Sequence, residues 1–220
     1  MINIELKKEQ TIIFDGDSAT NRRRGDGLTD WPYLRMMKWN RNWADIFAEL
    51  MFCWKPELNL KMKNVAVGGS KSYEILERFD EFVKPHNPDW VFVTIGGNDL
   101  AVKLTLEESL ENISKYIKKV QDECGGNVIY LTHFKAGPHS PGWKVKIPPD
   151  RIERSAAFEK NIKDCGAFTM DVGTGLLEKS EELVKQWEGH TIYSNADRHF
   201  NNIGNTIIAG EVMKRLGYVN

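Results

Sequence analysis

Thr11-Ile-Ile-Phe-Asp-Gly-Asp-Ser-Ala-Thr20 sets a short apolar run directly against Gly16-Asp17-Ser18, with no polar spacer between them. Such a run reads as a buried strand, and the abrupt turn puts Ser18 at its carboxyl end, where open α/β sheets build their sites. Ser18 is therefore the candidate nucleophile. Alone, Gly-Asp-Ser is also ordinary turn chemistry, so its weight depends on the rest of the chain.

Two further apolar runs end the same way. Leu60 to Val67 closes on Gly68-Gly69, and Trp90-Val-Phe-Val-Thr-Ile95 closes on Gly96-Gly97-Asn98-Asp99. The latter is continuous rather than alternating, the pattern of a strand covered by helices on both faces. Asn127 to Thr132 and Ala167 to Val172 read as the fourth and fifth strands.

Helical periods separate these runs. From Asn42 as N-cap, Trp43, Ile46, Phe47, Leu50, Met51 and Trp54 form a core-facing stripe that stops at Pro56. Ile75, Leu76, Phe79, Phe82 and Val83 mark a helix stopped near Pro85. Thr105 with Glu108 is a capping box opening a helix whose apolar face is Leu106, Leu110, Ile113, Ile117 and Val120, ended by Gly125-Gly126. Helices are also expected over 150–164, about 176–188 and 201–216, the last with Ile203, Ile207 and Val212 inward. Strand alternating with helix implies a parallel sheet with right-handed crossovers.

A chain of 220 residues, 41% of them hydrophobic, is expected to form one domain spanning 1–220 around a single substantial core. Thirty Lys and Arg against 31 Asp and Glu leave a formal charge of -1, so no electrostatic drive toward nucleic acid or an anionic membrane is expected. The Arg22-Arg23-Arg24 run reads as a solvated loop, with an anion site as the alternative. Cys53, Cys124 and Cys165 have neither even number nor close spacing, so reduced thiols are expected rather than disulfides. The N-terminus lacks a signal-peptide core and no run reaches the ~18 apolar residues of a membrane span, which reads as cytoplasmic. No cluster of His, Cys and acidic residues has metal-ligand spacing, and no cofactor is expected.

Two long loops flank the candidate site. Residues 19–41 are rich in Arg, Gly, Asp and Trp without a period. Lys135 to Pro149 holds four prolines, Trp143 and His139, and reads as a wall or lid with His139 as a candidate substrate contact.

Gly16-Asp17-Ser18, Asn64-Val-Ala-Val-Gly-Gly69, Ile95-Gly-Gly-Asn98-Asp99 and Asp197-Arg-His199-Phe-Asn201, in that order, resemble the four blocks of the SGNH (GDSL-type) hydrolase family. The resemblance spans residue 11 to about 216 and matches the family's serine, glycine, asparagine and histidine to Ser18, Gly69, Asn98 and His199. It implies a flavodoxin-like three-layer sandwich with a five-stranded parallel sheet of order 2-1-3-4-5. It also implies an oxyanion hole made by the backbone N–H groups of Ser18 and Gly69 and the side-chain amide of Asn98.

The chemistry fits those residue types. Serine is a poor nucleophile until a base takes its proton, so His199 is cast as general base and then general acid. A neutral amide donor stabilises an oxyanion without suppressing the nearby base. The family's last block is Asp-x-x-His, whereas here Ala196 stands three before His199 and Asp197 two before it. Asp197 orients the imidazole only from a locally extended backbone; Asn195 from a helical turn, a backbone carbonyl and a distant carboxylate are the other candidates.

Asp17 and Asp99 as a metal or glycosidase carboxylate pair, and Gly68 to Ser72 as a phosphate cradle, are the competing readings. Turn aspartates commonly cap N–H groups, and the phosphate-loop spacing is missing. The expected activity is hydrolysis of small acyl esters through an acyl-serine intermediate; Thr20-Asn-Arg-Arg-Arg24 and Ile95-Gly-Gly-Asn-Asp-Leu100 resemble the carbohydrate-esterase-like branch of the family, and that resemblance implies acetyl esters of carbohydrates in particular. The rivals are a thioesterase or lysophospholipase and a non-catalytic carbohydrate-binding module.

Overall fold

The structure, a computed structural model, describes residues 4–21, 29–30, 42–132, 149–187, 190, 192 and 199–219. Five strands, β1 (Thr11–Gly16), β3 (Lys61–Asn64), β4 (Trp90–Thr94), β5 (Asn127–Thr132) and β6 (Phe168–Asp171), lie parallel in the order β3-β1-β4-β5-β6. Counted along the chain this is the expected order 2-1-3-4-5. One strand is added: β2 (Thr29–Asp30) falls within the stretch read as loop and pairs antiparallel with the outer edge of β3 at Asn64 and Lys63.

Successive strand residues point to opposite faces, so each apolar run feeds two cores. Ile12, Phe14, Met62, Trp90, Phe92, Ile129, Leu131 and Met170 join the core under α1 (Trp43–Trp54), α6 (Gly173–Gln186) and α7 (Asn202–Arg215). Ile13, Val91, Val93, Val128 and Tyr130 join the other, under α2 (Ser72–Glu77), α3 (Phe79–Phe82), α4 (Leu106–Cys124) and α5 (Pro149–Asp164). The first core centres on aromatics: Phe14 meets Trp43 edge-on at 5.4 Å and Phe92 at 5.7 Å. Burying each such ring stabilises the fold by roughly 1.5–3 kcal/mol.

Caps appear where the sequence puts them. Asn42 Oδ1 accepts the Asp45 N–H at 3.0 Å, and in the α4 capping box Thr105 Oγ1 and the Glu108 carboxylate each take the other's N–H. Three helical expectations are corrected. Trp54 and Leu106 are 51% and 37% exposed, because they stand at the last turn of α1 and the first residue of α4, off the core-facing surface. The helix expected from Ile75 to Val83 is split at Arg78 into α2 and α3. In α7 the buried face is Gly204, Asn205, Ile208, Ala209, Val212 and Met213, with Ile203 and Ile207 at its margin, because small residues bring this helix close to its neighbours. Cys53, Cys124 and Cys165 are free thiols. No helix among the described residues is long and apolar enough to cross a membrane.

Candidate active site

Because the five long strands run the same way, the turns after β1, β3 and β4 gather at the carboxyl end of the sheet. Gly16 and Thr94 are partners in register, and a Cβ on Gly16 (φ +134°) would overlap Thr94 Oγ1 and its carbonyl oxygen. Only glycine lets the two strands close on each other there. Asp17 follows, buried, and builds the turn: its Oδ1 accepts the Ala19 N–H at 2.9 Å, while its carbonyl accepts the N–H groups of Thr20 at 3.1 Å and Asn21 at 2.9 Å. Ser18 sits half-buried inside this turn.

The glycine block is fastened to the same point. Beyond β3, Val67 N–H donates to Gly16 O at 3.1 Å, and a turn closed by Ser70 N–H on Val67 O at 3.2 Å carries Gly69 at φ +85°. Asn98 then bridges all three turns, since its Nδ2 donates to Ser70 O at 3.0 Å and to Asp17 Oδ2 at 3.2 Å. A carbonyl and a carboxylate can only accept, so they fix which end of the amide is nitrogen. Asp99, fully buried, accepts the Ser72 N–H at 2.7 Å, so both turn aspartates act as caps, Asp17 locally and Asp99 across 27 residues.

His199 stands two residues before Asn201, the N-cap of α7. Asn201 caps that helix through Gly204 N–H at 3.0 Å and donates its own N–H to Ile192 O at 2.9 Å. The start of α7 lies at the same end of the sheet as the serine turn. Asn205 Oδ1 accepts the Trp43 N–H at 3.1 Å, next to Asn42, while Asn64 Nδ2 reaches Asn42 Oδ1 at 3.5 Å and Thr20 O at 3.1 Å. A run of amide contacts thus leads from the Ser18 turn to the helix that follows His199.

The acid candidates Asp197 and Asn195 lie outside the described residues, as do Arg22-Arg23-Arg24 and the loop with His139 and Trp143. Among the described residues no three His, Cys, Asp or Glu side chains come together to hold a metal. Burial pushes the Tyr130 hydroxyl pKa up, and the nearby carboxylates of Asp17, Glu159 and Asp99 push it the same way, so this phenol stays neutral beneath the site. Sequence reasoning missed what fastens these turns, namely Asp17 on the Asn98 amide and a buried Asp15–Arg78 ion pair. An aspartate inside an apolar strand with an arginine elsewhere is the signal for such a pair.

The fold and these turns define a class. A model of the GDSL-like lipase/acylhydrolase family matches residues 14–207, and the chain belongs to that family of ester-hydrolysing enzymes. Among curated proteins it is similar to thioesterase 1/protease 1/lysophospholipase L1 of Escherichia coli (strain K12), 25% identical over 99 residues, 45% of this chain and 39% of that protein. It is also similar to an acetylxylan esterase of Geobacillus stearothermophilus, 26% identical over 99 residues, 44% of this chain and 43% of that one. The match therefore spans about two fifths of the length of these relatives. Among solved structures, Axe2, an acetylxylan esterase from Geobacillus stearothermophilus, superposes with a TM-score of 0.76 at 17% identity over 98% of both chains. A GDSL-like lipase from Parabacteroides merdae superposes with a TM-score of 0.72 at 19% identity, over 99% of this chain and 100% of that one. In Axe2, catalytic mutants replace a serine, a histidine and an aspartate by alanine.

Proposed function

We propose that this chain is a serine esterase that removes small acyl groups, acetyl in particular, from carbohydrate esters through an acyl-Ser18 intermediate. The observation that carries the reading is the Asn98 amide, bound at once to the Ser18 turn through Asp17 and to the Gly69 turn through Ser70. Tied in this way, the Ser18 N–H, the Gly69 N–H and the Asn98 amide would serve as the three donors that a tetrahedral oxyanion at a strand-end serine requires. The acetylxylan esterase among the relatives, and the serine, histidine and aspartate of Axe2, support the same reading.

In the proposed cycle His199 takes the proton of Ser18 Oγ as that oxygen attacks the acyl carbon. The carbonyl oxygen becomes an oxyanion facing Ser18 N–H, Gly69 N–H and Asn98 Nδ2. Collapse expels the alcohol, which leaves with the proton from His199; water then attacks the acyl-serine with His199 again as base, and the second collapse breaks the Ser18–acyl bond, releasing the acid as Ser18 Oγ takes the proton back from His199. Asp197 would orient the imidazole and stabilise its charged form. Both Asn98 amide protons are engaged within the site, so donation to the oxyanion shares or exchanges one of these bonds, the longer being that to Asp17.

Turnover of p-nitrophenyl acetate and of acetylated xylo-oligosaccharides, with Ser18→Ala as control, tests the reading. Acetate release that Ser18→Ala abolishes supports it. Preference for acyl thioesters or lysophospholipids would move the chain toward the activities named for the Escherichia coli relative. No turnover on any of these, with sugar binding retained, would leave a binding module.

A further inference from the structure

Beneath the site, one buried guanidinium joins two of its turns. Asp15 is fully buried; its Oδ1 accepts Arg78 Nη2 at 2.6 Å and its Oδ2 accepts the Tyr116 hydroxyl at 2.8 Å. The same Nη2 donates to Gly16 O at 2.9 Å, and Nη1 donates to Ser70 Oγ at 2.8 Å. Arg78 thus grips the residue two before Ser18 and the residue just after Gly69. It stands at the break between α2 and α3, and its side chain is 11% exposed.

An ion pair that only pins a helix to the sheet would show a narrower set of contacts. Here Gly16 O accepts both Arg78 Nη2 and Val67 N–H, so β1, the glycine turn and the guanidinium meet at one carbonyl. Ser70 offers its hydroxyl oxygen to Arg78 and its carbonyl to Asn98, whose amide returns to Asp17. The contacts close a ring, Gly16–Arg78–Ser70–Asn98–Asp17, around the proposed oxyanion site. Desolvation largely offsets the attraction within a buried ion pair, so its net stability is small, whereas a planar fork bound at several points fixes geometry.

We propose that Arg78 is a positioning residue, setting the separation of the Ser18 turn from the Gly69 N–H. Its catalytic consequence rests on the esterase reading above; the positioning itself does not. A lysine ammonium can reach Asp15 or Ser70 Oγ but cannot span both, so Arg78→Lys keeps a charge partner and loses the fork. Ser70→Ala removes one of its acceptors, together with the bond from Ser70 Oγ to Val67 O at 2.8 Å within the glycine turn, and leaves the Asp15–Arg78 pair intact.

Both variants are assayed on p-nitrophenyl acetate, with rates normalised to sites titrated by a fluorophosphonate, and the Gly69 and Asn98 side-chain amide resonances are followed in isotopically labelled protein. Arg78→Lys is expected to lower kcat about 10²-fold, the scale of a misplaced reacting geometry. KM should stay within about threefold, since substrate binding is not what is lost. Ser70→Ala should lower kcat about tenfold, and both should move the Gly69 and Asn98 resonances. Wild-type kcat per titrated site, a loss that disappears on normalisation, or unmoved resonances each overturn the proposal. Should Arg78→Lys not fold, Ser70→Ala decides by the same readings. If the wild type neither hydrolyses the ester nor takes the label, the esterase reading fails, and the resonances still decide whether Arg78 positions the two turns.

Discussion

Asn98 Nδ2 donates to Asp17 Oδ2 across 3.2 Å, joining the turn after β4 to the turn after β1. The Asp17 carboxylate also accepts from Ala19 N–H at 2.9 Å and Thr94 Oγ1 at 3.3 Å. Asp17→Asn keeps the shape but leaves one oxygen where there were two, so these donors compete. If the bond aims Asn98 at the oxyanion, kcat should fall about 10-fold to 10²-fold, roughly 1.4 to 2.7 kcal/mol of barrier, with KM little changed. Steady-state kinetics give the sign. A rise in kcat would mean that Asp17 withholds the amide rather than presenting it.

Gly16 and Gly69 both have positive φ, yet alanine should affect them differently. At Gly69 a Cβ meets nothing within 4 Å, so Gly69→Ala carries only the left-handed backbone penalty of about 1–2 kcal/mol. For a chain of this size that lowers the melting midpoint by about 2–8 °C. At Gly16 the same Cβ would strike the Thr94 backbone, so Gly16→Ala should melt far lower or fail to fold. Scanning calorimetry compares them, and equal midpoints would contradict the close approach of β1 and β4.

Tyr116 predicts an alkaline limit to stability. Burial, then the adjacent Asp15 carboxylate, holds its hydroxyl pKa well above the ordinary value, while in the unfolded chain it ionises near ~10. Above that pH the unfolded state binds fewer protons than the folded state. Stability is therefore level below pH ~10 and falls as pH rises toward the folded pKa, by up to ~1.4 kcal/mol per pH unit for this group. Tyr116→Phe should begin about 1–3 kcal/mol less stable, since Asp15 Oδ2 loses its donor, and should show a shallower alkaline slope. The slope should not vanish, because Tyr130 is raised in the same direction. Urea titrations between neutral and strongly alkaline pH test both statements, and a variant with an unchanged slope would refute the assignment.

The parallel sheet is legible because its apolar runs end abruptly at glycine or polar turns, so length and stopping point identify strands even where periodicity is silent. β2 is not legible: Thr29-Asp30 has no pattern of its own and is a strand only because the edge of β3 offers unpaired backbone groups. Hydropathy also misjudges helix ends and small residues. Trp54 and Leu106 are apolar but stand off the core-facing surface, while Gly204 and Asn205 face inward. Ser18, Gly69, Asn98 and His199 are readable as candidates because each sits in a local block. Their supports are not, since Arg78 reaches Asp15 across 63 residues and Asn98 reaches Asp17 across 81, pairings that only the folded chain creates.

The acid proposed for His199 is the point at which the block pattern departs from the family, and it yields a prediction that kinetics can rank. If Asp197 orients the imidazole and stabilises its protonated form, Asp197→Asn should fold normally yet lower kcat by up to ~10⁴-fold, because an amide can favour the wrong tautomer. Asn195→Ala should then have little effect. If Asn195 is the partner, the ranking reverses. Should both variants stay within about tenfold of wild type, each tenfold being ~1.4 kcal/mol of barrier, Ser18 and His199 work with a backbone or remote partner instead. A fluorophosphonate separates loss of chemistry from loss of the site. Asp197→Asn should label Ser18 slowly but to completion, whereas incomplete labelling would mean that Asp197 holds the chain around His199 rather than its charge.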